Sequence, residues 1–438
     1  MFRRIENTMK ADPSFPADLK QLGFFINDTG HIRLIDAPDK PHTYNATNNE
    51  RVNEVRCEAM HTCQRREVEA RLSRLGISRL YLPQYTTEKP IGPSIPILAP
   101  EPETLKTRKQ IIVLINDPQQ DLGILSYSQL SRGLGINGGS VVNFAKQMIK
   151  RSCTNNTGEQ AATIFKDNYE LDDKSTAPSL LVLNTSQLLY SHKHNQAMTL
   201  RSWSAMPRKS IAHDMIRIHD SNSIPGHLAP KDHIKTVFDE ILYNTTRIAA
   251  DAELSIIAIE NSTEALLSVL AEGFEKYTSR ITALALLHCT LDASQITHPG
   301  LRSFLRQRAR QWRFNDVTAN PLHCTDMPKL HPDGAVGEME NVGADDDNKT
   351  HVEWASGTEV PCPTFAGGDG ALGEDVFIDA AVQDAVLAFF EEARHEGAVL
   401  GEKTSGGHMW KPQVEGPQVA FAGTMVDSEL LKATGLME

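Results

Sequence analysis

Residues Leu254–Val269 read LSIIAIENSTEALLSV, and this stretch decides the fold. A short apolar run ends at Ile259, five polar residues follow it, and an apolar pattern with helical spacing begins at Ala265. Apolar runs of this length predict a buried strand, and the spacing after the turn predicts a helix. The segment therefore reads as a strand, a sharp polar turn and a helix in direct succession.

The same succession is typical of the nucleophile elbow of α/β-hydrolases, whose motif is Gly-x-Ser-x-Gly. The two glycines allow the nucleophile to sit on a strained turn without side-chain clashes. The spacing is kept around Ser262, but Glu260 and Glu264 stand where both glycines would be. The sequence thus predicts the scaffold of an esterase site together with residues that do not suit one.

If Ser262 is a nucleophile, it needs an oxyanion hole, an acid and a histidine after the last strand. The oxyanion donors would come from the Thr263 N–H and from the loop that starts at Asn116. Asp292, which follows a predicted strand, would be the acid. After the last predicted strand no histidine occurs before His395.

A second interpretation of the same turn is structural. Asn261 or Ser262 would cap the helix, and Asn261-x-x-Glu264 resembles a capping box. The sequence leaves open which of Asn261 and Ser262 occupies the elbow position.

The bulk properties indicate an ordinary globular protein. Of its 438 residues, 40% are hydrophobic and 23% are charged. The net charge of −12 argues against broad, non-specific binding to nucleic acid or to acidic membranes. The six cysteines are too sparse for a disulfide scaffold and lack zinc-site spacing. No signal-peptide pattern or membrane-length apolar run is present, so we expect a nuclear or cytoplasmic protein.

Strand-like and helix-like patterns alternate along the chain. The predicted strands are Ile111–Ile115, Leu180–Leu183, Leu254–Ile259, Ile281–Leu287 and Cys362–Phe365. The predicted helices are Glu50–Leu75, Ser140–Ile149, Asp232–Ala250, Thr263–Tyr277, Leu301–Arg313 and Ala381–Ala393. This alternation predicts an α/β-hydrolase-like α/β fold, with a mostly parallel central sheet and helices on both faces.

Composition divides the chain into four parts. Residues 1–105 are predicted to be an N-terminal extension that wraps the core, since the apolar residues of its predicted hairpin near Phe24 are too few for an independent core. Within it, Pro83–Pro102 holds six prolines and reads as a linker or irregular loop. The α/β domain is predicted to comprise residues 106–325 and 361–396. The acidic insertion 326–360 is predicted to be disordered, and residues 397–438 form a flexible tail.

Four arginines could share a face of the predicted helix Leu301–Arg313. They are Arg302, Arg306, Arg310 and Arg313. Such a face could grip phosphates, or it could form ion pairs with an acidic partner or with the chain's own acidic insertion. The anionic character of the chain favours the ion pairs.

Two further patterns resemble ligand-binding motifs, but neither predicts a ligand site. Gly133-x-Gly135-x-x-Gly138 has the spacing of a dinucleotide fingerprint, but no predicted strand directly precedes it. Several histidines lie between His192 and His233 without a metal-binding spacing such as His-Glu-x-x-His. We therefore expect no cofactor and no metal.

The order and spacing of six segments resemble the Argonaute-binding protein two domain, a family that in fungi also occurs appended to class II histone deacetylases. The segments are IIVLINDP, SLLVLNT, IIAIENSTEALLSVL, ITALALLHC, VTANPL and PTFAGGD. The resemblance covers residues 110–393 apart from the acidic insertion. It implies an α/β-hydrolase-like fold and a role in small-RNA-directed heterochromatin assembly, through an Argonaute chaperone complex.

This chain departs from the family pattern at the site. Many family members have a histidine-serine pair followed by small residues at the elbow, where this chain has Glu260-Asn261-Ser262-Thr263. Family members often have a histidine-glutamate pair after the last strand, where this chain has Gly373-Glu374. Both departures argue against hydrolysis and leave the fold unaffected.

The first hypothesis is therefore a catalytically degenerate domain that acts as a protein-interaction module, with Argonaute or silencing factors as partners by resemblance. A serine hydrolase using Ser262 and an RNA-binding protein using the arginine face are the alternatives. No membrane partner is expected, and the oligomeric state stays open.

Overall fold

The computed structural model describes residues 11–40, 46–153, 162–172, 176–209, 218–328, 359–370 and 372–401, with side chains described up to 395. The strands are β1 Phe24–Ile26, β2 Ile32–Leu34, β3 Ser78–Leu82, β4 Ile95–Ala99, β5 Gln110–Ile115, β6 Ser179–Leu183, β7 Leu189–Ser191, β8 Gln196–Met198, β9 Glu253–Ile259, β10 Ile281–Leu287, β11 Ala309–Arg313, β12 Cys324–Asp326 and β13 Thr364–Ala366.

The helices are α1 Glu50–Arg74, α2 Pro102–Thr107, α3 Tyr127–Ser131, α4 Gly135–Gly138, α5 Val141–Ser152, α6 Leu200–Ser204, α7 Pro230–Val237, α8 Asn261–Glu272, α9 Phe274–Thr278, α10 Pro299–Arg308, α11 Gly373–Ile378 and α12 Ala380–Gly401. A π-helical turn, Phe238–Leu242, continues α7, and short 3₁₀ turns lie at Asp220–Asn222 and Ala293–Gln295.

A nine-stranded sheet in the order β12-β13-β11-β10-β9-β5-β6-β4-β3 forms the centre of the fold. The six strands from β13 to β6 run parallel, while β12, β4 and β3 pair antiparallel with their neighbours. The predicted α/β fold is therefore confirmed, with a sheet that is mixed and largely parallel.

Alternate residues of the central strands face two separate apolar layers, as the two-residue period of a strand requires. Ile112, Leu114, Ile257 and Ile259 face one layer, and Ile111, Val113, Ile256 and Ala258 face the other. Helices α1, α5 and α12 bury side chains in the first layer, and α7, α8 and α10 bury side chains in the second. Because both faces are covered, the central strands read as continuous apolar runs.

The order of the parallel strands reverses at β5. The next strand along the chain, β6, lies on one side of β5, whereas β9 lies on the other side. In open α/β sheets, ligands bind beyond the carboxyl ends of the strands at such a switch point. The ends of β5 and β9 are therefore the place to examine for a site.

The N-terminal part contributes more to the sheet than its proline content indicates. Strands β3 and β4 form one edge of the central sheet, and β4 lies inside the proline-rich stretch predicted to be irregular. The expectation of a loop over Pro83–Pro102 is therefore wrong for Ile95–Ala99. Strand β4 lies between β3 and β6, and its pairing with β6 is registered at Leu98 opposite Val182, away from Pro96. The predicted hairpin is confirmed, because β1 and β2 pair antiparallel.

Other predicted boundaries shift under tertiary packing. The predicted helix Leu301–Arg313 ends at Arg308, and residues Ala309–Arg313 form β11 instead. The helix expected over Asp232–Ala250 ends its regular part at Val237. Residues 397–401, assigned to the tail, continue α12, while 402–438 and 329–358 of the insertion lie outside the described residues. No helix in the described ranges is long and apolar enough to cross a membrane.

A buried carboxylate, Asp121, ties the loop after β5 to three other parts of the chain. Its Oδ2 accepts hydrogen bonds from Arg65 at 2.9 Å, from Arg201 at 2.6 Å and from the Tyr127 hydroxyl at 2.6 Å. Gln187 Nε2 donates to its Oδ1 at 3.0 Å. Burial alone would raise the pKa of Asp121, but the two guanidinium groups outweigh it and lower this pKa to about 2.

We expect Asp121→Asn to lower the free energy of unfolding by about 3–5 kcal/mol at pH 7, because the buried Arg65 would lose one of its two carboxylate partners and Arg201 would lose its own. Since the pKa of Asp121 lies below its ordinary 3.8, this stabilisation is present above about pH 4 and is lost as the pH falls towards 2. Urea unfolding at pH 7 and at pH 3 measures both effects.

The matched control is Asp316→Asn, which changes an exposed carboxylate. It should alter the free energy of unfolding by less than about 0.5 kcal/mol. Equal stabilities of Asp121→Asn and the wild type at pH 7 would contradict the central role of this ion pair.

Candidate functional site

The candidate site lies beyond the carboxyl ends of β5 and β9, where each strand is followed directly by polar residues. Asn116 and Asp117 follow β5, and Glu260 and Asn261 follow β9. The two strands pair in parallel, with Ile115 opposite Ala258. The two polar pairs are therefore brought together by the register of the sheet.

Glu260 occupies the strained turn between β9 and α8. Its backbone has φ 51° and ψ −117°, a combination that side-chain-bearing residues rarely adopt. The turn is closed by Thr263, whose N–H donates to the Glu260 carbonyl at 3.0 Å and whose hydroxyl donates to it at 2.6 Å. The elbow residue is thus Glu260, one position before the two candidates that the sequence left open.

A glycine on a neighbouring element permits this turn. A Cβ atom at Gly373 would lie 2.9 Å from Glu260 Cβ and 3.2 Å from Ile259 Cγ2. Contacts of that length do not occur without movement of one partner, so only glycine allows α11 to approach the elbow so closely. The glycine that the elbow requires is therefore Gly373, at the start of α11 after β13, and not a residue of the elbow motif itself.

Ser262 lies away from the elbow position. Its side chain is fully buried, and its hydroxyl donates to the Asn116 carbonyl at 2.6 Å. This bond joins the first turn of α8 to the end of β5. The geometry favours a structural role for Ser262, and the same holds for Thr263, whose N–H is used within the turn.

The backbone donor next to the elbow is engaged by an internal carboxylate. The Asn261 N–H donates to Asp117 Oδ2 at 3.3 Å, and the Asn261 side-chain amide donates to the same oxygen at 2.8 Å. In α/β-hydrolases the N–H after the nucleophile stabilises the oxyanion. The predicted donor loop is engaged as well, since Asn116 Nδ2 donates to the Ile124 carbonyl and Asn116 Oδ1 accepts from the Asp117 N–H.

Glu374 forms a carboxyl pair with Glu260. Glu374 is 7% exposed, its carboxyl group hydrogen-bonds with that of Glu260, and its Oε1 accepts from Gln120 Nε2 at 2.9 Å. Burial, followed by the carboxylates of Glu260 and Asp117, raises the pKa of Glu374 to about 7. Glu374 can therefore gain or lose a proton near neutral pH, beside the Glu260 carboxyl group.

A histidine stands beside the elbow at the end of β10. His288 has a positive φ of 56°, and its N–H donates to the Trp312 carbonyl at 2.7 Å. Burial lowers the pKa of His288, and the nearby Glu260 carboxylate opposes this shift. The predicted acid, Asp292, lies four residues further on, where it accepts a hydrogen bond from the Ser294 N–H at 2.8 Å and caps a 3₁₀ turn.

The four arginines predicted to share a helix face lie on different elements. Arg302 and Arg306 belong to α10, whereas Arg310 and Arg313 belong to β11. Arg302 donates to the Ile296 carbonyl, Arg306 pairs with Glu359 at 3.5 Å, and Arg310 pairs with Glu392 at 2.9 Å. The single basic face expected from the sequence is not formed, because pairing of β11 with β10 overrides the helical pattern.

The two ligand-like patterns also have structural roles. Gly135 has φ 67° and packs against the Gly30 backbone, where a Cβ would lie 2.6 Å from the Gly30 carbonyl oxygen. His227 and His233 form a buried pair with their Nδ1 atoms 2.8 Å apart. Among the described residues, no group of three or more His, Cys, Asp or Glu side chains is arranged to hold a metal ion.

Sequence reasoning missed Asp117, Gln120, Glu260, Glu374 and His288 as members of one cluster. A signal existed for three of them, since Asp117, Glu260 and His288 each follow a predicted parallel strand, and the carboxyl ends of such strands share one edge. Gln120 and Glu374 carry no such signal, because each reaches the cluster from a loop or a short helix.

We expect Glu374→Gln to stabilise the protein more at pH 8 than at pH 5. The difference between the two effects on the free energy of unfolding should be on the order of 2 kcal/mol. The pKa of Glu374 is raised from its ordinary 4.5 to about 7, so its contribution is fully favourable below about pH 4.5 and is lost as the pH rises through 7. Glutamine removes that loss. Urea unfolding of wild type and variant at both pH values measures it.

Glu264→Gln is the matched control, since Glu264 is an exposed glutamate in the first turn of α8. Its effect should be the same at pH 5 and pH 8. If Glu374→Gln also showed the same effect at both pH values, the raised pKa of Glu374 would be disproved.

Comparison with known proteins concerns the family of the domain as a whole. The family model described as the Arb2 domain matches residues 15–318, which is more than half of the chain. Comparison with curated proteins gave no match. The matched span contains the central strands β5, β9, β10 and β11 and the elbow, so the region that builds the candidate site lies largely inside it. The chain belongs to the Arb2 domain family.

Proposed function

We propose that this protein is a non-catalytic interaction module built on an α/β-hydrolase-like scaffold. By the family resemblance, its partner is Argonaute or an associated silencing factor, and its role lies in small-RNA-directed heterochromatin silencing in the nucleus. Membership in the Arb2 domain family supports this partner and this role.

One observation carries the non-catalytic part of the proposal. A carboxylate, Glu260, occupies the position from which a hydrolase serine would attack, and another, Asp117, accepts the N–H that an oxyanion would need. Negative charge at both places opposes the formation of an oxyanion, because like charges at this distance repel strongly in a partly buried site. Ser262 is buried behind the turn and its hydroxyl is already engaged.

Exposed apolar side chains near the carboxyl ends of the parallel strands, where the candidate site lies, support a role in protein binding. They lie on the segment that follows β11 and leads into β12, where Phe314 is 44%, Val317 is 88% and Leu322 is 71% exposed. A hydrogen bond from the Asn315 N–H to the Gly368 carbonyl holds this segment beside the loop after β13, and one from Trp312 Nε1 to the Pro321 carbonyl holds it against β11. Three exposed apolar side chains on one segment would supply apolar contacts to a protein partner.

A fluorophosphonate probe tests the hydrolase alternative. We expect no labelling at Ser262 in the folded wild-type protein at neutral pH, because its hydroxyl is neither exposed nor next to a base. Gel fluorescence of the wild type, Ser262→Ala and the control Ser268→Ala measures this, with an active serine hydrolase in parallel to verify the reagent. Labelling that is lost in Ser262→Ala and kept in Ser268→Ala would establish the hydrolase and overturn the proposal.

Binding to purified Argonaute tests the interaction. We expect the double substitution Val317→Ser and Leu322→Ser to raise the Kd for Argonaute at least about tenfold, since two apolar contacts would be lost. Titration calorimetry with the full chain measures the affinity, and circular dichroism verifies the fold.

Ile91→Ser is the control, because Ile91 is 97% exposed and precedes β4 at the other edge of the sheet. It should leave the Kd unchanged. Failure of the wild-type chain to bind Argonaute would refute Argonaute as the direct partner, and equal effects of both changes would refute this surface as the binding site.

A further inference from the structure

A second concave site lies at the β3 edge of the sheet, whereas the apolar segment between β11 and β12 lies at the opposite edge. A pocket of about 410 Å³ opens between α1, the edge strands β3 and β4, and the hairpin β7–β8. Its volume lies within the range of small-molecule sites in proteins. None of the elbow residues lines this pocket, so it is separate from the site described above.

The lining of the pocket is strongly basic, although the chain as a whole has a net charge of −12. Arg65, Arg66, Arg79 and Lys89 line it, together with a single acidic residue, Glu69. The charge of Arg65 is compensated within the protein, because Arg65 pairs with Asp121 at 2.9 Å and with Glu58 at 2.6 Å. The remaining cations exceed the one carboxylate, so the pocket carries an uncompensated positive charge.

The hydrogen-bonding capacity of these cations is only partly used. Arg79 Nη2 donates to Glu69, but its Nε is buried and has no acceptor among the described residues. Lys89 forms no ion pair within the described part of the chain, and burial followed by the charge of Arg79 lowers its pKa. An exposed ammonium group without an ion pair is available to an anionic ligand.

Neutral groups complete the set of donors. Ser94, which is 3% exposed, and Gln196 line the same pocket. A hydroxyl and an amide can donate to anionic oxygens alongside Arg and Lys. The floor of the pocket is fixed, because Gln187 and Arg65 are both held by the buried Asp121. Donors on a rigid floor bind with little loss of conformational freedom.

We propose that this pocket binds the phosphate group of a small phosphomonoester such as a nucleoside monophosphate. Guanidinium and ammonium groups with neutral donors form strong charge-assisted bonds to phosphate oxygens. Arg79 lines the pocket, and Lys89 and Arg66 reach the opening as exposed cations. The space beyond the phosphate holds the rest of the ligand, which the volume limits to roughly the size of a mononucleotide.

Titration calorimetry of the full chain at low salt tests this site with three probes. Adenosine 5′-monophosphate should bind with a stoichiometry of about one. Adenosine, which lacks the phosphate, should not bind. Inorganic phosphate distinguishes the source: competition with the nucleotide indicates a site that reads phosphate alone, and weaker competition indicates that the nucleoside also contributes. Both results support the phosphate site.

Charge reversal locates the site. Lys89→Glu should raise the Kd for the nucleotide at least about tenfold, since a charge-assisted bond is lost and a repulsion is added. Arg66→Gln, which keeps a polar side chain, should weaken binding less. The control Lys106→Glu reverses an exposed lysine of α2 that does not line the pocket, and it should leave the Kd unchanged.

Three outcomes would overturn the proposal. One is the absence of binding by both phosphate probes at millimolar concentration. Another is binding of adenosine as tight as that of its monophosphate. The third is an equal effect of Lys89→Glu and Lys106→Glu. Because Lys89 and Lys106 are both exposed, loss of folding is not expected to obscure the comparison.

Discussion

The parallel pairing of β5 with β9 is the constraint on which the rest of the structure depends. It places the polar residues after both strands at one point, where Ser262 donates to the Asn116 carbonyl and Asn261 donates to Asp117. These bonds connect the first turn of α8 to the end of β5. The strained backbone of Glu260 persists because this connection and the turn closure by Thr263 hold it from both sides.

The same constraint separates the geometry of the turn after β9 from the identity of the residue that occupies it. The fold requires a sharp turn after β9 and close approach of α11, and Gly373 satisfies the second requirement. Nothing in that requirement demands a serine at the turn. The carboxyl groups of Glu260, Asp117 and Glu374 then give the elbow an acidic character, and the pKa of Glu374 is raised to about 7. Fold and site chemistry are separable here because different residues determine them.

The buried Asp121 has a corresponding role on the other side of the loop after β5. It joins α1 through Arg65, α6 through Arg201 and the segment after β6 through Gln187. The N-terminal part is therefore integrated in the fold by an ion pair as well as by β3, β4 and apolar packing. The rigid floor of the basic pocket is a consequence of the same network, so one buried charge supports both the architecture and the proposed phosphate site.

The sequence by itself determined the alternation of strands and helices and the parallel character of the sheet, because continuous apolar runs between helical patterns have few other solutions. The resemblance of six segments to a known family, rather than their periodicity, indicated the family. The tertiary structure decided which residue occupies the elbow. It also decided that Ala309–Arg313 forms a strand, since pairing with β10 outweighs a local helical pattern. Gln120 and Glu374 reach the carboxyl cluster from segments 254 residues apart. Local patterns report periodicity, whereas strain, burial and shifted pKa values arise only when distant segments meet.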